Sequence, residues 1–207
     1  MSASGANAAL DTILADYQRY HVVLVVVASI FLAAVMLLLV VCWRSLRAAR
    51  RDPTGRTRRV AWAYASFIVA CGLVGLFLAV VIAANISTVL DPQRGFAGVD
   101  QSGEALTSWV ASGSAAIPAD VQELIDARLA WQRPKAIIVT LLLVATVVGS
   151  VAIWRRWISH AYASRGANVA LLASGVLTVA IALLLMLMVM GNVQASMAPI
   201  ALTLVYG

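Results

Sequence analysis

Four runs of this chain carry no charged side chain: residues 22–42, 60–90, 136–154 and 168–207. A helix needs roughly 20 apolar residues to cross the hydrocarbon layer. The first run alone holds fifteen Val, Leu, Ile or Phe. At about −0.3 to −0.6 kcal/mol each for insertion, these sum to on the order of −5 to −9 kcal/mol with no charge opposing them. The runs therefore predict an all-α integral membrane protein, a four-transmembrane-helix bundle with short amphipathic outer helices. The spans are placed at 22–43, 61–85, 135–156 and 168–190.

Composition supports the same class. Of the 207 residues, 62% are hydrophobic and 12% charged, against about 45–50% and about 25% in soluble domains. The net charge of +6 would elsewhere suggest nucleic acid. Here the cations are confined to loops between apolar runs, so no nucleic-acid partner is expected. All but Lys135 of the basic residues are Arg, a bias read as that of a GC-rich, bacterial genome.

The Arg positions set the orientation. The stretch WRSLRAARRDPTGRTRR (43–59) carries Arg44, Arg47, Arg50, Arg51, Arg56, Arg58 and Arg59, and the loop 157–167 is flanked by Arg155 and Arg156. By the positive-inside rule, loops 44–60 and 157–167 are cytoplasmic. These nine Arg are expected to contact anionic lipid headgroups, at about 1 kcal/mol each. Both termini and the acidic loop 86–134 are then extracytoplasmic, in a multi-pass protein of the cell membrane. Trp43, Trp62, Tyr64, Trp154 and Trp157 fall at the inner boundary and Tyr17, Tyr20 and Trp131 at the outer one, as an aromatic belt requires.

Three outer segments are amphipathic. In segment 1–21, Leu10, Ile13, Leu14, Tyr17 and His21 share a helical stripe, which suits a helix lying in the interface. In 91–117, glycines and serines give loop chemistry, with one short helix near 104–110. Residues 118–132 form a better helix: Pro118 suits its first turn, and Val121, Leu124, Ile125 and Leu129 form one stripe. Pro134 then permits a bend into the third span. The tail 191–207 is apolar. A helix through all of 168–207 would be about 60 Å long, so a break near 191–198 is expected, with the tail in the interface or against another protein.

Small residues recur at every fourth position: Cys71, Gly75, Ala79 and Ala83 on the second span, and Ala170, Ser174, Thr178 and Ala182 on the fourth. Such rows let helix backbones approach closely, and these eight are the expected helix-packing positions. Cys42 and Cys71 lie in apolar runs without partners at metal-ligand spacing, so neither a disulfide nor a metal site is expected.

No span carries an ionisable group at its middle, the usual pointer to transport or proton relay. His21 and His160 sit at opposite span edges, about 30 Å apart across the hydrocarbon, and cannot share a metal or haem. The trio Asp120, Glu123 and Asp126 reads as a solvated helix face. No catalytic constellation, cofactor motif or metal set is found. The expected function is that of a non-enzymatic accessory, scaffolding or assembly subunit of a bacterial envelope complex, with a membrane-protein partner or a homo-oligomer. The alternatives are an oligomeric channel or small-solute exporter, whose polar candidates are Asn85, Thr140, Thr146, Ser150, Asn192 and Gln194, and a lipid-modifying enzyme using the outer-loop carboxylates.

Overall fold

The computed structural model describes residues 7–51, 57–97, 103–159 and 165–204, with side chains omitted at 57–59 and 165–167. The described residues form seven helices: α1 (Ala8–Arg51), α2 (Thr57–Leu90), α3 (Pro92–Ala97), α4 (Glu104–Ser112), α5 (Ala119–Ser159), α6 (Arg165–Met197) and α7 (Pro199–Leu204). α1, α2, α5 and α6 are each long and apolar enough to span a membrane. The protein is an all-α, multi-pass membrane protein.

The long helices exceed the spans read from hydropathy. α1 has 44 residues and α5 has 41, or about 66 and 62 Å at 1.5 Å per residue. The segment before residue 22 is thus no separate interfacial helix but the first turns of α1. Likewise, the 118–132 helix and the third span are one element, continuous through Pro134. α6 runs past the expected break at 191 and ends at Met197, where Pro199 opens α7.

Two compact units divide the chain: residues 25–84, and residues 1–24 with 85–207. In the first, α1 and α2 form a hairpin. Its buried or half-buried positions include one row at 28, 32, 35, 39, 42 and 46 on α1 and another at 64, 68, 71, 75, 78 and 82 on α2, flanked by further half-buried positions such as 31, 45, 67 and 74. In the second, α5 and α6 pair through 136, 139, 143, 146 and 150 against 171, 175, 178, 182, 185 and 189. Spacings of three and four in alternation average 3.5 residues, the repeat of a coiled-coil seam. The remaining surface of each long helix is apolar and exposed, as at Leu37, Leu73 and Val148, which suits hydrocarbon as solvent.

The second unit also holds a cap. Ala9, Ile13, Leu14 and Tyr17 of α1, Phe96 of α3, Leu106 and Trp109 of α4, Val121 and Ile125 of α5, and Ile200 and Ala201 of α7 form one buried apolar cluster. The stripe of the first segment therefore faces protein, not lipid. Tyr17, expected in the outer belt, is 3% exposed and packs edge-on against Phe96 at 5.4 Å. The α5 stripe divides: Val121 and Ile125 are buried and Leu129 half-buried, whereas Leu124 is exposed. Asn7 joins two of the elements. Its Oδ1 accepts from the N–H of Leu10, capping α1, while its Nδ2 donates to the last-turn carbonyl of Val110 in α4. Gly113, at φ +65°, ends α4 in the left-handed conformation that favours glycine.

Candidate functional site: the cap and its junction with the spans

Asp16 lies in the apolar stripe of α1, between Ile13 and Tyr17, and is 5% exposed. Its Oδ2 accepts a 2.8 Å hydrogen bond from the backbone N–H of Ala201, in the first turn of α7. The opposite end of α7 is held from α5, where Arg128 Nη1 donates to the carbonyl of Leu202 at 2.7 Å. An anion at the N-terminus and a cation near the C-terminus both oppose the charge of the unpaired backbone groups there. Two side chains distant in sequence thus fix a six-residue helix too short to be stable alone. Asp16 lies in the charged part of α1 that precedes the span. Burial raises its carboxyl above the ordinary 3.8, against the lowering effects of the Ala201 N–H, the Arg19 guanidinium and the Ile200 N–H.

One turn further along α1 a set of polar bonds joins three helices. His21 Nδ1 pairs with Asn85 Oδ1 of α2 at 2.6 Å, with Nδ1–H as the donor, since an amide oxygen only accepts. Gln18 Nε2 donates to the carbonyl of Val89 at 2.8 Å. From α6, Gln194 Nε2 donates to the carbonyl of Tyr20 at 3.2 Å, and Gln194 is 4% exposed. Tyr17 and Tyr20 both meet the His21 ring edge-on. At the edge of a low-dielectric layer, an unpaired buried polar group costs several kcal/mol, so these pairings define how α1, α2 and α6 align there.

The packing positions read from the sequence separate into two sets. Cys71 is buried, and a Cβ on Gly75 would meet Leu32 and Val35 at 3.7 and 3.9 Å, in ordinary contact. Thr178 and Ala182 are half-buried, and Thr178 Oγ1 lies 3.1 Å from the buried Ser150 Oγ. Ala79, Ala83, Ala170 and Ser174 are exposed in the single chain. The cause is geometric: a strict four-residue step advances about 40° beyond a full turn, so it leaves any straight seam within three steps. A tight contact between α5 and α6 lies elsewhere. A Cβ on Gly175 would come within 2.8 Å of the Trp154 ring of α5, a contact invisible from either residue alone.

Arg44, Arg47, Arg50, Arg51, Arg155 and Arg156 lie at the ends of α1 and α5, and Arg47 stacks over Trp43 at 5.1 Å. Arg56, the side chains of Arg58 and Arg59, and His160 lie outside the described residues. Asp120, Glu123 and Asp126 are exposed, and among the described residues no His, Cys, Asp and Glu group has metal-site geometry.

The stripe of Leu10, Ile13, Leu14, Tyr17 and His21 read over segment 1–21 passes over Asp16. The available signal was its position: an acid at the centre of an apolar stripe must find a partner or lose its charge. Compared with family models, curated proteins and solved structures, the chain matches none of the three.

Proposed function

We propose that the protein is a non-enzymatic accessory or assembly subunit of a bacterial envelope complex, with its cap and both termini outside the cytoplasm. The observation that carries this reading is the outward placement of Ala79, Ala83, Ala170 and Ser174. The hairpins do not use these small positions internally, so they remain open to helices of another chain, where close backbone approach drives association in lipid. The cap adds a folded outer surface with a rigid core. The orientation rests on the Arg count of the two short loops.

The channel alternative needs polar side chains free to line a path. Thr140 donates to Ala136, Asn192 to Met188 and Gln194 to Tyr20, while Ser150 pairs with Thr178 and Asn85 with His21. These bonds favour a structural use. Of the carboxylates of the enzyme alternative, Asp91 caps α3 through the Arg94 N–H, Glu104, Asp120 and Glu123 are exposed, and Asp100 lies outside the described residues.

Mild solubilisation followed by native mass analysis tests the proposal. A second membrane protein, or a defined oligomer, should co-purify and be lost on Ala79→Leu or Ser174→Leu. A monodisperse monomer with no companion in membranes of the native host would overturn it.

A further inference from the structure

A groove of about 420 Å³ opens along the first turns of α1, lined by Asp11, Thr12, Ala15, Asp16, Arg19 and Ile200. This volume is in the range of small-ligand sites. Five of the six residues share one face of α1, and Ile200 of α7 forms the far wall. Asp11 and Arg19 are exposed, whereas Asp16 is almost wholly buried.

The groove's charges are ordered along the α1 axis. The charge-free part of α1 begins just after Arg19, and the span is taken to start at Val22. Along the helix axis Arg19 stands about 4.5 Å outside that point, Asp16 about 9 Å and Asp11 about 16 Å. The polar headgroup layer is roughly 5–8 Å thick on each side of the hydrocarbon. With α1 crossing the membrane from Val22 on, this spacing would put the guanidinium at the depth of lipid phosphates and the carboxylates one to two turns further out.

We propose that this groove binds the headgroup of an ethanolamine phospholipid, with its phosphate on Arg19 and its ammonium toward Asp16 and Asp11. Three features select this ligand. The cation lies nearer the hydrocarbon than the acids, matching a headgroup whose phosphate precedes its amine. With two acids and one Arg, the groove has a formal charge of −1, which disfavours a net anionic headgroup. A primary ammonium donates three hydrogen bonds to carboxylates, whereas the quaternary nitrogen of a choline headgroup has none to donate. Burial also disfavours the ionised form of Asp16, and a bound ammonium supplies the missing countercharge. The inference needs only that the protein spans a membrane, so it stands apart from the accessory-subunit reading and applies to either leaflet.

The test uses the full chain in nanodiscs with equal ethanolamine, choline and glycerol phospholipids of identical acyl chains, with retained lipid read by native mass spectrometry during stepwise delipidation. The ethanolamine lipid should be retained about five-fold over the other two, the equilibrium worth of one exposed ion pair. Asp11→Asn should remove most of that preference, whereas Arg19→Gln, which loses the contact to the phosphate common to all three lipids, should lower retention of all three together; both positions are exposed, and helicity should be unchanged. Glycerophosphoethanolamine, but not glycerophosphocholine or inorganic phosphate, should displace the bound lipid. Equal retention of the three lipids, preference for the glycerol lipid, a preference untouched in Asp11→Asn, or retention untouched in Arg19→Gln overturns the proposal.

Discussion

Asp16 and Ala201 are 185 positions apart in the chain, yet the carboxylate of one accepts the backbone N–H of the other at 2.8 Å in a buried setting. The bond ties the end of the chain to the beginning of α1. Asp16→Ala leaves that N–H without its acceptor, at a cost of about 1–3 kcal/mol. Proteolysis within 198–204 should become faster than in the parent protein. Asp16→Asn retains an acceptor and should protect the segment better than alanine does.

The same carboxyl gives a pH dependence of definite sign. Its folded-state value is raised above the ordinary 3.8, chiefly by burial. The folded form therefore binds a proton more readily than the unfolded one. Asp16's contribution to cap stability is complete below 3.8 and is lost as pH rises through the higher, folded-state value. Relative to Asp16→Asn, whose side chain does not titrate, the parent cap should lose thermal stability from pH 4 toward neutrality. Trp109, buried in the cap core, reports it by fluorescence. A difference between the two proteins that is flat in pH, or of opposite slope, contradicts the assignment.

The glycines of the spans differ in what they tolerate. Gly175→Ala places a methyl against the Trp154 ring, and overpacking of this kind costs about 1–3 kcal/mol. Gly75→Ala meets only ordinary contacts, and Gly149→Ala meets nothing within 4 Å. Thermal unfolding in detergent should thus show loss for Gly175→Ala and little change or a small gain for the other two. Gly75→Leu, which exceeds the space beside Leu32 and Val35, should be more damaging than Leu38→Ala, since Leu38 is exposed.

His21 and Asn85 should behave as a coupled pair. Replacing Asn85 by Leu removes the acceptor of the buried Nδ1–H, at about 1–3 kcal/mol. The double change His21→Leu with Asn85→Leu removes both partners, so its cost should fall below the sum of the single changes. A double-mutant cycle on detergent stability measures this, and strict additivity would show that the 2.6 Å contact contributes nothing.

Orientation is open to direct labelling. Ala115 is exposed beyond the end of α4, and both native cysteines are buried. Ala115→Cys should react with a membrane-impermeant maleimide from outside intact cells. Labelling only after the cells are opened would invert the proposed topology.

The spanning helices were legible in the sequence because insertion is a local sum over about 20 residues, and no charge interrupts those sums. The cap was not. Phe96 lies in a glycine- and serine-rich stretch that reads as loop, so α3 carries no sequence signal, whereas the short helix read near 104–110 is α4 and holds Trp109, though its burial is not legible there. Their burial depends on α1, α5 and α7 arriving at the same place, which is a long-range fact. The alternation that marks the seams is present in the sequence, but the small residues at four-residue steps form rows that diverge from it. Ala79 and Ala170 are the visible result. The Trp154–Gly175 contact had no local signal, because it needs the register of two helices at once.

α5 carries its inward positions without a phase break from Val121 and Ile125 in the cap core to Ala136, Val139 and Ser150 beside α6. One screw thus serves two environments. Adding a single residue between 130 and 135 would turn everything beyond it by about 100°, so either the water-side core or the lipid-side seam would face the wrong way. A full heptad would restore the phase. The distance between the two layers can therefore change by whole turns but not by single residues, which makes length along this rod a quantised property of the protein.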